Sequence, residues 1–66
     1  MNIINIYEVQ IKVTKTEEII ARDCIDLINR GGKIYARRII NQLISTSQND
    51  KALHRRKMIA QILDLA

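Results

Sequence analysis

A strict alternation of apolar and polar side chains runs through residues 7 to 13, YEVQIKV. This period of two is typical of a half-buried strand, and the β-branched valines and isoleucine favour one. The polar side of this predicted strand consists of Glu8, Gln10 and Lys12. No second strand is evident, and a lone strand would leave its backbone donors and acceptors unpaired. The segment would therefore pair with a copy of itself across a dimer, if it is a strand.

A helical N-terminus is the competing interpretation of the same region. Ile3, Ile4, Tyr7 and Ile11 also fall near a 3.6-residue period, which is the spacing of one helix face. The pattern of residues 1 to 13 is compatible with a strand, with a helix and with a segment that becomes ordered only on binding.

Residues 15 to 30 have the pattern of an amphipathic helix. Thr14 followed by Glu17 fits a capping box at its start. Gly31 and Gly32 are expected to end it, because glycine accepts the left-handed conformation that follows many helices. Its apolar stripe is formed by Ile20, Ala21, Cys24, Ile25, Leu27 and Ile28.

Two further helices are predicted, over residues 34 to 45 and 51 to 65. Ala36, Ile39, Ile40 and Leu43 make the buried face of the first of these, with Tyr35 inward or at the turn. Asn49 or Asp50 is expected to cap the second. Its first half, KALHRRK, is basic, and its second half, MIAQILDLA, is apolar on more than one face. An apolar tail of this kind must be covered by the core, a second copy or a partner.

The predicted fold is therefore mainly α, a single small domain over residues 1 to 66 with an extended segment or strand at 7 to 13. A domain of this size buries only about 60% of the surface that its unfolded chain exposes. The single cysteine excludes an internal disulfide, and one cysteine with one histidine makes a poor metal site. Oligomerisation is the remaining support, so we expect a homodimer.

Signatures of other classes of protein are missing from the chain. No apolar run approaches the roughly 20 residues of a membrane span, and the first ten residues do not resemble a signal peptide. We therefore expect no membrane association, a cytoplasmic location and a reduced Cys24, which packs as a small hydrophobe. Gly31-Gly32 lacks the spacing of a phosphate-binding loop. We expect no catalytic residues, no cofactor, no metal and no enzymatic activity.

Charge is divided unevenly along the chain. Residues 1 to 29 carry three basic and five acidic side chains, whereas residues 30 to 66 carry eight basic and two acidic ones. A basic half favours nucleic acid or an acidic protein as the partner. Its arginine pairs, Arg37-Arg38 and Arg55-Arg56, suit phosphates and also suit bidentate contacts to carboxylates. Sequence alone does not separate these two uses.

The order strand, helix, glycine turn, helix over residues 7 to 45 resembles that of ribbon-helix-helix DNA-binding dimers. In that class two strands from two chains form a ribbon in the major groove. The resemblance implies that Glu8, Gln10 and Lys12 would face the groove. Glu8 is an unfavourable neighbour for phosphates, and the second helix lacks the usual Ser or Thr cap.

A second resemblance extends to the third helix. Gly32 with Tyr35-Ala36, and then Asn49-x-x-Ala52-x-x-x-Arg56-x-x-x-Ala60, is similar to the pattern of the ANR family, small negative regulators of AraC-type activators in enteric bacteria. Ala52 stands where that family usually has tryptophan, and Ala60 where it usually has cysteine. The resemblance implies protein-binding regulation. The partner would be an AraC-type transcriptional activator, whose dimerisation is blocked, with the nucleoid protein H-NS as a further partner.

The sequence thus predicts a small regulator of transcription that captures a transcription factor, with direct DNA binding as the alternative. Apolar faces of the second and third helices would supply contact area, and arginines would steer an acidic partner. The residues predicted to bind the partner are Arg37, Arg38, Ile40, Leu43, Arg55, Arg56, Ile59, Ile62 and Leu63.

Overall fold

The computed structural model of the protein describes all 66 residues and is mainly helical, as predicted. A two-stranded antiparallel hairpin is followed by three helices that enclose one core. The elements are β1 (Asn2–Ile6), β2 (Val9–Val13), α1 (Lys15–Asn29), α2 (Lys33–Ser45) and α3 (Asp50–Ile62).

The hairpin corrects the prediction for the N-terminus in two respects. The strand covers Val9–Val13 only, because Tyr7 and Glu8 form the turn, with φ of 48° and 71°. The strand also has a partner in its own chain, β1, with Ile6 opposite Val9 and Ile4 opposite Ile11. Its pairing therefore needs no second copy. The side chains that the hairpin buries against the helices are Ile4, Ile6, Ile11 and Val13.

The ends of α1 follow the prediction closely. The Thr14 side chain accepts a hydrogen bond from the Glu17 N–H, and the Glu17 side chain accepts one from the Thr14 N–H, which completes the capping box. At the other end Gly31 has φ +82°, and the Gly32 N–H donates to the Leu27 carbonyl at 2.7 Å. This pattern is the Schellman motif, in which a left-handed residue closes a helix.

Helix α3 ends at Ile62, three residues earlier than predicted. Asp64 takes the left-handed conformation, with φ 58°, and the Leu65 N–H returns to the Ala60 carbonyl at 2.8 Å. The turn carries the Leu65 side chain into the core, where it is buried. Burial of one more apolar side chain explains why the helix stops before its apolar pattern does. At its start α3 is capped by Asn49, whose side chain accepts from the Ala52 N–H.

The core lies where the hairpin and the three helices meet. Cys24 is fully buried in it, as predicted, with its thiol 3.6 Å from the Ala36 carbonyl. Burial, with the charge of Asp23 as a smaller cause, raises the pKa of the Cys24 thiol to about 11. Of the two placements predicted for Tyr35, the structure shows the one at the turn: its side chain lies beside Gly32 and is largely exposed. None of the three helices is both long and apolar enough to cross a bilayer.

The turn of the hairpin offers a direct test of this fold. Glu8 is a non-glycine residue at positive φ, a conformation that costs an L-residue roughly 1–2 kcal/mol. Glu8→Gly should therefore raise the free energy of unfolding by about 1 kcal/mol, measured by urea denaturation. Glu8→Ala, which keeps the unfavourable Cβ, should give no such gain. Equal stabilities of the two variants would contradict the turn.

Candidate functional site

A buried carboxylate near the start of α1 organises the charged residues of this protein. The Glu17 side chain has no solvent exposure. Its Oε1 accepts from Arg55 Nε at 2.6 Å, and its Oε2 accepts from Arg55 Nη2 and Arg56 Nε, both at 2.8 Å. With the Thr14 N–H at 3.0 Å, four donors surround one carboxylate. Bidentate arginine contacts of this kind are among the stronger hydrogen bonds in proteins.

Arg56 extends the contact to the end of α2. Its Nη1 donates to the Leu43 carbonyl at 2.7 Å and lies 3.4 Å from the Thr46 hydroxyl. The carbonyls of the last turn of a helix lack their usual donor four residues on. The Leu43 carbonyl accepts from the Thr46 N–H at 3.3 Å and the Thr46 hydroxyl at 3.0 Å, and Arg56 adds a charged donor. The Glu17 cluster, which we define as Glu17, Arg55 and Arg56, therefore joins the start of α1, the end of α2 and the first half of α3.

The electrostatics of the cluster favour the charged form of Glu17. Burial alone would raise the pKa of the carboxyl. Hydrogen bonds from Arg55, the Thr14 backbone and Arg56 outweigh burial and lower the pKa from 4.5 to about 2. The same contact raises the pKa of Arg55. The cluster is therefore ionised throughout the physiological pH range.

Internal pairing changes the role expected for two predicted site residues. The Arg55 and Arg56 side chains retain only 19% and 12% of their exposure, and their guanidinium groups already hold a carboxylate of the same chain. The sequence left open whether these arginines meet phosphate or carboxylate. In the structure they meet the carboxylate of Glu17.

The predicted apolar contact residues lie mostly inside the chain. Ile40, Leu43, Ile59 and Leu63 are buried in the core, and Ile62 is partly buried against it. The apolar pattern of α2 and α3 is thus covered by the protein's own core.

Arg37 and Arg38, by contrast, are exposed, and their guanidinium groups make no hydrogen bond or ion pair within the chain. Ile34 and Tyr35, on the preceding turn of α2, are 66% and 63% exposed. Residues three and four apart are neighbours on a helix surface, so Ile34 lies beside both arginines and Tyr35 beside Arg38. We call these four residues the α2 patch.

The apolar half of the α2 patch was not predicted. A signal for it exists in the sequence: at 100° per residue, Ile34 falls nearly opposite Ala36, the start of the buried face. Packing against the core does not account for an isoleucine on the polar side of a helix. Tyr35 falls near the edge of the buried face, where the sequence does not decide its exposure.

The residues predicted to face DNA occupy the hairpin. Gln10 and Lys12 are exposed on β2, on the side away from the buried Ile11 and Val13. Glu8 is not on that face, because it belongs to the turn.

Five of the eleven basic side chains make no ion pair: Lys12, Arg37, Arg38, Lys51 and Lys57. Arg37 and Arg38 stand next to two exposed large apolar side chains on one helix face, whereas Lys12 stands opposite one, Ile3, across the hairpin. No family model, curated protein or solved structure matches this chain. The α2 patch is therefore assigned as the candidate functional site because its four side chains are exposed, adjacent and unpaired.

The Glu17 cluster predicts an acid-sensitive fold. The folded-state pKa of Glu17 is lowered from 4.5 to about 2, so its stabilisation is complete above pH 4.5 and is lost as the pH falls towards 2. The difference in pKa corresponds to about 3 kcal/mol. Glu17→Gln should lower the free energy of unfolding by about 3 kcal/mol at pH 7, because it leaves two arginines without their anion. The Glu17→Gln variant has no carboxyl at this position, so its free energy of unfolding should not show this loss between pH 4.5 and pH 2.

Urea denaturation of both proteins between pH 7 and pH 2 measures this effect. Asp23→Asn is the matched control, because Asp23 is an exposed carboxylate of the same helix and forms no ion pair. A Glu17→Gln protein as stable as Asp23→Asn at pH 7 would show that the cluster does not hold the helices together.

Proposed function

We propose that this protein is a small transcriptional regulator that acts by binding another protein. The partner is an AraC-type activator, whose dimerisation or DNA binding is blocked, with H-NS as a further partner. The resemblance to the ANR family over Gly32, Tyr35, Asn49 and Arg56 supports this proposal. We place this activity in the cytoplasm and assign no enzymatic reaction to the chain.

The observation that carries the proposal is the composition of the α2 patch. Tyrosine and arginine are enriched at protein interfaces and at the residues that dominate binding energy. Ile34 and Tyr35 offer apolar area, and Arg37 and Arg38 offer guanidinium groups with no partner in the chain. Unpaired arginines next to exposed apolar side chains suit a protein surface that is both apolar and acidic.

On this proposal, the partner contacts those predicted residues that are exposed. Of the predicted partner-binding residues, Arg37 and Arg38 are the ones free to contact a partner. Ile34 and Tyr35 join them, whereas Arg55, Arg56, Ile40 and Ile59 take part in the packing of the chain itself. The partner would cover Ile34 and Tyr35 with apolar side chains and place carboxylates on the two arginines, which also steer its approach.

Charge reversal of the patch tests the proposal. Arg37→Glu with Arg38→Glu should reduce capture of AraC-type activators at least about tenfold, since attraction to an acidic surface becomes repulsion. Both side chains are exposed and unpaired, so the circular dichroism spectrum should be unchanged. The measurement is a pull-down with the AraC-type activators of the host, followed by titration of the captured one.

Lys51→Glu with Lys57→Glu is the matched control, because it makes the same change in net charge on exposed residues that form no ion pair. Capture by this control should remain close to that of the unmodified protein. Equal losses in both double variants would indicate a general charge effect and would contradict a role for the α2 patch. No capture of any AraC-type activator by the unmodified protein would contradict the proposed function.

Direct duplex binding is the second candidate, and one observation favours it. Asn5 of β1 stands opposite Gln10 of β2 on the exposed face of the hairpin, with Lys12 further along the same face. Asparagine and glutamine make bidentate contacts to adenine, and two-stranded ribbons fit the major groove. The ribbon here comes from one chain, unlike the two-chain ribbon of ribbon-helix-helix dimers.

If the hairpin binds DNA, Gln10→Ala with Lys12→Ala should abolish sequence-specific binding. The Lys12 change should also reduce the salt dependence, because one phosphate contact is lost. Electrophoretic mobility shifts at about 150 mM salt with selected duplexes provide the measurement. Arg37→Glu with Arg38→Glu is then the control that should retain base specificity. Partner capture that survives the hairpin changes, with no tight duplex binding, would rule this candidate out.

A further inference from the structure

The hairpin has two open edges. Its two-residue turn makes Ile6 and Val9 a hydrogen-bonded pair, and such pairs alternate along an antiparallel ladder. Ile4 and Asn2 therefore point their backbone groups at β2, whereas the N–H and C=O groups of Ile3 and Asn5 point away from it.

Nothing in the chain satisfies the outward groups of β1. Apart from the pairing of the two strands themselves, no backbone–backbone hydrogen bond involves residues 1 to 13. The one side-chain hydrogen bond of this strand joins the Asn2 amide to Glu18. Beside the edge lies an open groove of about 390 Å³ between β1 and α1, lined by Ile3–Ile6 on one side and by Ala21, Arg22 and Ile25 on the other.

The two edges differ in how well they resist pairing. Natural proteins protect open strands with charged residues, proline or a bulge. The edge of β2 carries Lys12, and its turn carries Glu8. Strand β1, with the sequence NIINI, has no charge, no proline and no glycine, and its register with β2 is unbroken. Its Ile3 side chain is also 58% exposed. The β1 edge is therefore the one open to an added strand.

We propose that the β1 edge pairs antiparallel with the β1 edge of a second copy, with Ile4 opposite its own counterpart at the two-fold axis. In this register Ile3 of each chain lies opposite Asn5 of the other. The outward N–H and C=O groups of both residues then form four backbone hydrogen bonds across the interface.

The side chains of β1 suit this self-pairing. Directly opposed residues point to the same face of a sheet. Ile4 would therefore meet its counterpart on the helix-covered face, and Ile3 would pack beside Asn5 of the other chain on the outer face. Strand β1 carries no charged side chain, so the two paired strands themselves add no repulsion. An isologous contact of this kind closes as a two-fold dimer and leaves no edge for further growth except the β2 edges.

A dimer of this form would also enlarge the sheet. A two-stranded hairpin is marginal alone, and within one chain its support is its packing against the helices. Pairing at β1 produces the four-stranded order β2-β1-β1-β2, with both copies of α1 on one face. The interface lies on β1 and not on α2, so it does not depend on the proposed function.

Proline substitutions distinguish the two edges. Asn5→Pro removes an outward N–H but leaves the hydrogen bonds between β1 and β2 intact, because Asn5 does not donate to β2. Gln10→Pro removes an outward N–H in the same way from the β2 edge, directly opposite. The masses are measured by sedimentation equilibrium at about 0.1 mM chain, which is well above a micromolar Kd. The unmodified protein and Gln10→Pro should both give twice the 7.7 kDa of one chain. Asn5→Pro should give a mass close to that of one chain, which at this concentration requires a Kd raised to well above about 0.1 mM.

Two further measurements keep the test decisive if a proline variant unfolds. Ile3→Lys introduces an edge charge at an exposed position and should also give the monomer mass, with an unchanged circular dichroism spectrum. In the unmodified protein, hydrogen exchange at the Ile3 and Asn5 amides should slow as the concentration rises, whereas exchange at Gln10 and Lys12 should not. A monomeric unmodified protein, a dimer retained in Ile3→Lys, or protection of the β2 amides instead would overturn the proposal.

Discussion

The placement of the three helices depends on one buried ion cluster. A carboxylate without solvent is costly unless charged donors surround it, and Glu17 receives three hydrogen bonds from Arg55 and Arg56. Replacing one partner of such a group is strongly destabilising, even where the intact group adds little net stability. The cluster therefore specifies where α3 sits: any other placement would leave Glu17 buried without its cations or both arginines without their anion. In a chain with no disulfide and a small core, such a constraint selects one arrangement of helices among those that apolar packing alone would allow.

The same cluster accounts for part of the uneven charge distribution along the sequence. The N-terminal part of the chain is acidic and the C-terminal part is basic, a division that suggests an external acidic partner. Part of that opposition is satisfied internally, because Glu17 and Arg55 bring the two parts into contact. The cations left for an external partner lie elsewhere, and Arg37 and Arg38 stand out among them because Ile34 and Tyr35 are exposed beside them. A basic half of a sequence is thus a poor guide to a basic surface until internal pairs are known.

Local features could be predicted from the sequence, and contacts between distant residues could not. The capping box at Thr14, the left-handed Gly31 and the Asn49 cap depend on residues a few positions apart, so their patterns carry the information. Strand β1 was missed because asparagine is disfavoured in strands and Tyr7-Glu8 lacks the Asn or Gly usual in a two-residue turn. Glu17 and Arg55 are 38 residues apart, and nothing in either local pattern links them. The apolar faces of α2 and α3 were recognised, but a pattern of apolar residues does not say whether the core or another protein covers them.

Glu17 also couples local and tertiary structure through a single atom. Its Oε1 accepts both from the Thr14 N–H, which completes the cap of α1, and from Arg55 of α3. Groups that share a hydrogen-bonding partner are not independent in energy. Detachment of α3 would remove the three arginine hydrogen bonds that hold the carboxylate in place, and Glu17 would then be free to leave the Thr14 N–H. Conversely, fraying of the first turn of α1 would move the carboxylate away from both arginines. Loss of α3 and loss of the α1 cap should therefore occur together, so that a chain of 66 residues unfolds as one cooperative unit and not helix by helix.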